Sequence, residues 1–230
     1  MTDILLGQSY YLRFDPKLWD AMQPYPPLGT LYAAAYLRER GCSVALFDAM
    51  LADSTAGWSS ALDQHRPRFA VLFEDNFNYL SKMSLLRMRE AAFEMIAAAR
   101  ARGCTVIVCG ADMTDHADLY LAQGAHYVLL GEGEATLGEL IARLQADPSP
   151  SEADLYAILG LAYRHAGQMV QTPPRPVIRD LDALPLPAWD LVDRDRYRAI
   201  WRERHGYYSM NLVTTRGCPF HCNWCAKPIW

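Results

Sequence analysis

The sequence has no excess of basic residues: 22 Lys and Arg stand against 26 Asp and Glu, for a net charge of −4. That balance argues against a nucleic-acid surface, which needs clustered cations to meet phosphates. No apolar run approaches the roughly 18 residues that cross a bilayer. Met1-Thr2-Asp3-Ile4 carries no basic leader ahead of an apolar stretch. A cytoplasmic protein with no membrane span is the expectation. No Gly-x-Gly-x-x-Gly follows the first apolar run, which weakens a nicotinamide reading. Gly131-Glu132-Gly133-Glu134 lacks the Lys-Ser/Thr of a phosphate loop, and its two carboxylates would repel a phosphate. They complement instead the positive start of the helix that follows. Nor is there an evenly spaced cysteine framework: Cys42, Cys104 and Cys109 are scattered in apolar or helix-ending positions, and the other three are clustered. That split fits a reducing compartment, with the scattered three read as core residues.

What is present is enough apolar residue, 51% of 230, for one good core or a core with an appendage. Short apolar runs bounded by turn residues recur at 3–7, 43–48, 68–73, 105–109 and 126–130. Each reads as a strand covered on both faces. Between them the period lengthens. Pro26-Pro27-Leu28-Gly29 opens a helix that Gly41 stops, weaker helical patterns span 55–65 and 115–123, and residues 82–102 carry a long apolar stripe that ends at Gly103. A last helix covers 134–145. Strands alternating with helices predict an α/β fold, a five-stranded parallel doubly wound sheet of Rossmann-like type with right-handed crossovers.

Such a sheet binds its ligand at the carboxyl ends of its strands. The places to look are therefore the exits: residue 8 onward, Glu74 to Tyr79, Gly110 to Thr114, and Gly131 to Glu134. The first exit is a loop of residues 8–27, rich in Tyr, Trp, Phe and Pro and without a helical period. A loop this long tends to be functional, though a hydrophobic flap on its own core explains it equally well.

Near the other end lies Thr214-Thr215-Arg216-Gly217-Cys218-Pro219-Phe220-His221-Cys222-Asn223-Trp224-Cys225. Three cysteines spaced C-x3-C-x2-C on one loop can bind three corners of a cubic iron–sulfur cluster and leave one iron open. A structural zinc site wants four protein ligands; the neighbouring candidate, His221, sits between the first two cysteines where its reach is poor. Asn211-Leu212-Val213-Thr214-Thr215 reads as a buried strand, with Arg216-Gly217 as its exit.

This order of strand, Thr-Arg-Gly-Cys-Pro-Phe-x-Cys-x-x-Cys and aromatic Trp224 resembles the opening of a radical S-adenosylmethionine enzyme. The resemblance implies that Cys218, Cys222 and Cys225 hold a [4Fe–4S] cluster, whose open iron chelates S-adenosylmethionine. A small-molecule substrate and an electron donor such as flavodoxin or ferredoxin are implied with it. Pro26-Pro27-Leu28-Gly29, Gly110, Gly131-Glu132-Gly133-Glu134 and Leu184-Pro185-x-Pro187-Ala188-Trp189-Asp190 extend the likeness to the cobalamin-binding subgroup of that family. Asn76, Asn78, Gly110, Ala111, Asp112, Gly131, Glu132 and Gly133 are then the expected cobalamin-binding residues. The Asp-x-His-x-x-Gly of classical cobalamin domains is absent, which implies no histidine on cobalt, as in many members of the resembled subgroup, and leaves His116 a surface residue. Ala111 stands where the family has a second glycine, and Glu74-Asp75-Asn76-Phe77-Asn78 where it has a Ser/Thr-rich loop.

Asp147-Pro148-Ser149-Pro150-Ser151 marks a boundary. The expected division is a cobalamin-binding-like domain over 1–146, a linker with a small hairpin over 147–205, and over 206–230 the first strand and cluster loop of a truncated partial (β/α) barrel. Three functions remain open. One is a cobalamin-dependent radical S-adenosylmethionine enzyme, a methyltransferase on an unactivated carbon or a cyclase or oxidase of the same family, with this chain alone inactive. The others are a non-catalytic cofactor-binding module and a zinc-bearing regulatory α/β domain.

Overall fold

A computed structural model describes residues 2–75 and 85–217. Its centre is a sheet whose strands β1 (Ile4–Gly7), β2 (Val44–Phe47), β3 (Phe69–Phe73), β4 (Thr105–Cys109) and β5 (Tyr127–Leu129) run parallel in the order β2-β1-β3-β4-β5. Alternation within each strand feeds two cores. Leu5, Ala70, Leu72, Val106 and Val108 face one layer; Ile4, Leu6, Phe69, Val71 and Ile107 face the other. Both sets are buried, as parallel strands between helical layers must be.

Helices α2 (Leu28–Glu39) and α7 (Glu134–Ala146) cover the second face. Their backbones come close because Gly138 has no Cβ, which would lie 2.8 Å from the Tyr36 ring. Helices α3 (Ala56–His65), α4 (Leu85–Ala101) and α6 (Ala117–Ala122) cover the first face. In α4, Met88, Ala91, Ala92, Met95, Ile96 and Ala99 are buried at helical spacing. Gly103, at φ +76°, turns the chain out of that helix, while Cys104 N–H donates to Ala99 O.

The sheet differs from the expected five strands. It has seven, because the hairpin β6 (Leu161–His165) and β7 (Gln168–Gln171) pairs antiparallel with β5. The physical reason is the bare edge that β5 would otherwise present. Leu161, Ala162 and Tyr163 are buried against it. The helix expected over 115–123 is α6, and the exit loop expected over 110–114 is a further short helix, α5 (Ala111–Asp115), separated from it at His116. A further helix, α8 (Glu152–Tyr156), starts from a capping box at Ser151 and Asp154.

The loop of residues 8–27 is not without helix: Leu12–Phe14 is a 3-10 turn and α1 (Pro16–Ala21) is capped by Asp15, whose side chain accepts from Leu18 N–H. Beyond the hairpin, the connector lies back on the domain. Ala188 N–H donates to Leu31 O, and Arg38 forks onto Asp190. Helix α9 (Arg194–His205) then buries Tyr197 and Trp201; Trp201 Nε1–H donates to Pro24 O and Tyr197 O–H to Asp48.

Asn211-Leu212-Val213-Thr214-Thr215 is not the buried strand expected of it. No described strand lies beside it, and Leu212 is 78% exposed. Its hold on the domain is polar: Asn211 Nδ2–H donates to Pro26 O, and just before it Ser209 meets the Tyr25 hydroxyl.

Candidate functional site

Because β1 is flanked by β2 on one side and β3 on the other, the chain reverses direction across the sheet at its exit, the place where a doubly wound sheet binds its ligand. Gln8 and Glu74 stand there. Gln8 is 1% exposed; its Oε1 accepts from Tyr10 N–H, while its Nε2 has no hydrogen-bond partner. An orphaned buried donor costs free energy, which singles out Gln8 among the residues at the β1 exit.

Two adjacent carboxylates shape the floor. Both oxygens of Glu74 accept from Ser9 N–H, and Asp75 accepts from Leu28 and Gly29 N–H at the start of α2. Glu74 therefore fastens the beginning of the long loop and Asp75 its end. Gly110 has to be glycine, since a Cβ there would lie 2.8 Å from Glu74 Cγ. Burial pushes the Glu74 carboxyl up to about 7, with help from neighbouring Asp75 and Asp112 and against the Ser9 hydrogen bonds. Burial likewise pushes Asp48, at the end of β2, up to about 6 against the pull of the Tyr197 hydroxyl.

This has a measurable sign. Folded Glu74 keeps a proton that the unfolded chain releases above its ordinary value of 4.5, so stability falls as pH climbs toward and through about 7. Asp48 adds to the same trend, and a comparison of the native chain with Glu74→Gln isolates Glu74. Urea unfolding from pH 5 to pH 8 is expected to show the native chain losing about 2.5 kcal/mol more than the variant. Parallel pH profiles would refute the assignment.

The other expected residues divide clearly. Gly131, at φ +76°, donates its N–H to the Thr114 hydroxyl at 3.3 Å, which ties the β5 exit to α5. Gly133 has no room for a side chain: a Cβ would lie 2.3 Å from Cys109 Sγ and 2.8 Å from the Phe73 ring. These two and Gly110 share the carboxyl rim of the sheet. Asp112 faces inward. Arg89 and the Tyr120 hydroxyl bind its carboxylate, and against the upward push of burial they hold it below the usual range. Ala111 begins α5, and His116 is exposed with Nε2 3.7 Å from Asp112. Asn76, Asn78, Cys218, Cys222 and Cys225 lie outside the described residues. Among the described residues no cluster of metal-ligating side chains occurs.

Glu132 and Glu134 hold the chain that leads to the cysteines. Glu132 accepts from Ile178 N–H at 2.7 Å. Glu134, 3% exposed, pairs with Arg216 at 2.7 Å, and the Arg216 guanidinium lies 5.4 Å from the centre of the Tyr32 ring. Gly217 follows at φ +73°. Sequence reasoning took Glu134 for a helix-dipole partner and Arg216 for a strand exit; the pairing of the two, far apart in the chain, left no local signal. Gln8 and Glu74 were within loops singled out from the sequence, but their burial was not visible there.

No family model matches the chain. It is 37% identical over 102 residues to the uncharacterized methyltransferase PH0819 of Pyrococcus horikoshii, which covers 44% of this chain and 20% of that protein. It is 36% identical over 101 residues to the anaerobic magnesium-protoporphyrin IX monomethyl ester cyclase of Synechocystis, or 44% of this chain and 18% of that protein. The fold is similar to that of the cobalamin-dependent S-adenosylmethionine radical enzyme OxsB, at a TM-score of 0.59 and 18% identity, covering 94% of this chain and 27% of that one. It is also similar to the radical S-adenosylmethionine methyltransferase TsrM from Kitasatospora setae, solved with cobalamin and a [4Fe-4S] cluster, at 0.58 and 17%, covering 81% of this chain and 31% of that one. The chain thus spans about a fifth of the length of these curated relatives. In sequence, part of the chain is thus similar to a protein named as a methyltransferase and to a monomethyl ester cyclase, and in fold it is similar to two radical S-adenosylmethionine enzymes.

Proposed function

We propose that this chain is the cofactor-holding portion of a cobalamin-dependent radical S-adenosylmethionine enzyme, and that the whole protein transfers a methyl group to an unactivated carbon. The observation that carries the reading is the Arg216–Glu134 ion pair, which puts the residue two before the first cysteine on the same rim as Gln8, Gly110 and Gly131. A cluster held by Cys218, Cys222 and Cys225 and a cofactor on the sheet would then share one cleft.

The rim fits a flat, polar cofactor. Gly110 and Gly133 let the strand exits pack closely on Glu74, Cys109 and Phe73 beneath the rim, and Gln8 Nε2 is a buried donor without a hydrogen-bond partner. When bound, the cofactors supply one-electron cleavage of S-adenosylmethionine and carriage of the methyl group. This chain's own residues do the holding. The Gln8 side chain would offer a bound cofactor a hydrogen bond, the Glu74 and Asp75 clamps keep the long loop in place, and the hydrophobic residues Tyr10, Tyr11 and Leu12 of that loop exclude water from the β1 exit. Residues 1–146 form the cobalamin-binding part in this reading, 147–205 the connector, and 206–230 the start of the cluster-bearing part. A small-molecule substrate and a protein electron donor complete it. A second reading, ring closure in place of methyl transfer, is favoured by the likeness to the monomethyl ester cyclase.

Anaerobic titration of the full chain with hydroxocobalamin, followed by its visible spectrum, tests the reading. Saturable binding without nitrogen coordination to cobalt is the expected result. Gln8→Met is expected to weaken it about tenfold, the worth of one hydrogen bond at ~1.4 kcal/mol. No saturable binding would overturn the cobalamin reading.

A further inference from the structure

The charged cluster at the start of α7 is buried more deeply than a surface ion pair. Side chains of Arg216, Glu134 and Glu132 are 10%, 3% and 14% exposed, and Arg216 Nη2 is 2.7 Å from Glu134 with Nη1 4.0 Å from Glu132. A buried carboxylate requires such a partner, and arginine suits the place better than lysine. Its fork reaches both acids and its flat face lies over Tyr32.

The acids themselves cannot drift. Gly133 is wedged against Cys109 of β4 and Phe73 of β3, so the backbone before Glu134 is fixed by the sheet. One turn on, the Thr136 hydroxyl accepts from Arg175 Nε–H at 2.8 Å and donates to Leu159 O, which braces the same helix end against the connector. A rigid path therefore runs from the sheet through Gly133 and Glu134 to Arg216. From there the first cysteine is two residues away, and two residues span at most about 7 Å.

We propose that Arg216 is a positioning residue: clamped between Glu134, Glu132 and Tyr32, it anchors residues 211–217, the segment that runs into the first cysteine, on the rim of the sheet. The inference rests on the proposed reading that those cysteines hold a cluster. It assigns the Gly131-Glu132-Gly133-Glu134 loop the role of docking site for the cluster-bearing segment, in addition to any contact it makes with a cofactor.

The test uses the full chain with Arg216→Met, Arg216→Lys, Glu134→Gln and the Arg216→Met/Glu134→Gln double variant. In the cluster-free chain, hydrogen exchange is measured at residues 131–134 and 211–217. After anaerobic reconstitution with iron and sulfide, the loss of iron to a chelator and the electron paramagnetic resonance of the reduced cluster are recorded. Arg216→Met is expected to speed exchange in both segments, to speed iron loss by about tenfold or more, and to alter the cluster signal. Arg216→Lys is expected to restore part of the native iron retention. The double variant, which leaves only the Glu132 carboxylate, still hydrogen-bonded to Ile178 N–H, without its cation, is expected to recover part of the thermal stability without recovering the native signal, which a merely structural pair would not do. A native signal and native iron retention in Arg216→Met would overturn the proposal while leaving the cluster in place. A native chain that takes up no cluster would overturn the family reading instead; the docking would then be decided by exchange alone, and unchanged exchange would refute it.

Discussion

Replacing Cys218, Cys222 and Cys225 with alanine is expected to abolish the broad visible absorbance of the reconstituted chain and to lower bound iron to background. Thiolates are the ligands of such a cluster, and alanine offers none. The sheet is expected to stay folded, because its cores are assembled from residues 4–201 and draw nothing from the cysteine loop. Iron analysis and thermal unfolding, run on the same preparations, separate the two. Iron retained by the triple variant would contradict the ligand assignment, and zinc in place of iron in the native chain would revive the regulatory-domain reading.

Trp58→Ala is expected to cost the most stability of any single substitution on the first face of the sheet, about 3–5 kcal/mol. Trp58 is fully buried, donates its indole N–H to Met95 O at 3.0 Å, and meets the Phe47 ring edge-on at 5.7 Å. Its six-membered ring fills the space above Gly7, where a Cβ would lie 2.9 Å away. Removal leaves a cavity and takes the indole hydrogen bond from Met95 O directly under the strand whose exit carries Gln8. At about 2–4 °C per kcal/mol for a chain of this size, the midpoint should fall by roughly 6–20 °C. A fall of under about 2 °C would mean that the core closes over the gap, which close-packed interiors rarely do.

Much of this architecture is legible in the sequence because parallel strands are buried on both faces. Phe69-Ala70-Val71-Leu72-Phe73 and Thr105-Val106-Ile107-Val108-Cys109 have no other reading than strands, and the structure places both within one residue of expectation. The hairpin was readable too, but its attachment to β5 was not. Edge pairing is a contact between segments whose local patterns say nothing of each other. Leu212-Val213 shows the opposite failure: an apolar pair that reads as buried is exposed or half-exposed where no described strand runs beside it. At the site, the glycines were legible as exits, while the inward turn of Asp112 onto Arg89 and Tyr120 and the capture of Arg216 by Glu134 depend on where helices α4 and α7 come to rest. The cysteines and the two asparagines are known from the sequence alone.

The adjacent pair Glu74 and Asp75, which holds Ser9 at one end of the long loop and Leu28 and Gly29 at the other, turns that loop into a closed ring. Closure entropy grows only slowly with contour length, by about 0.6 kcal/mol for each doubling. Extra residues inserted at the exposed tip near Lys17 should therefore hardly disturb the rim, since the knot is tied by two side chains on a buried strand end and not by the loop itself. The ring is a place where a lineage can change the lip of its cleft, adding or trimming whole segments, while the floor beneath stays the same.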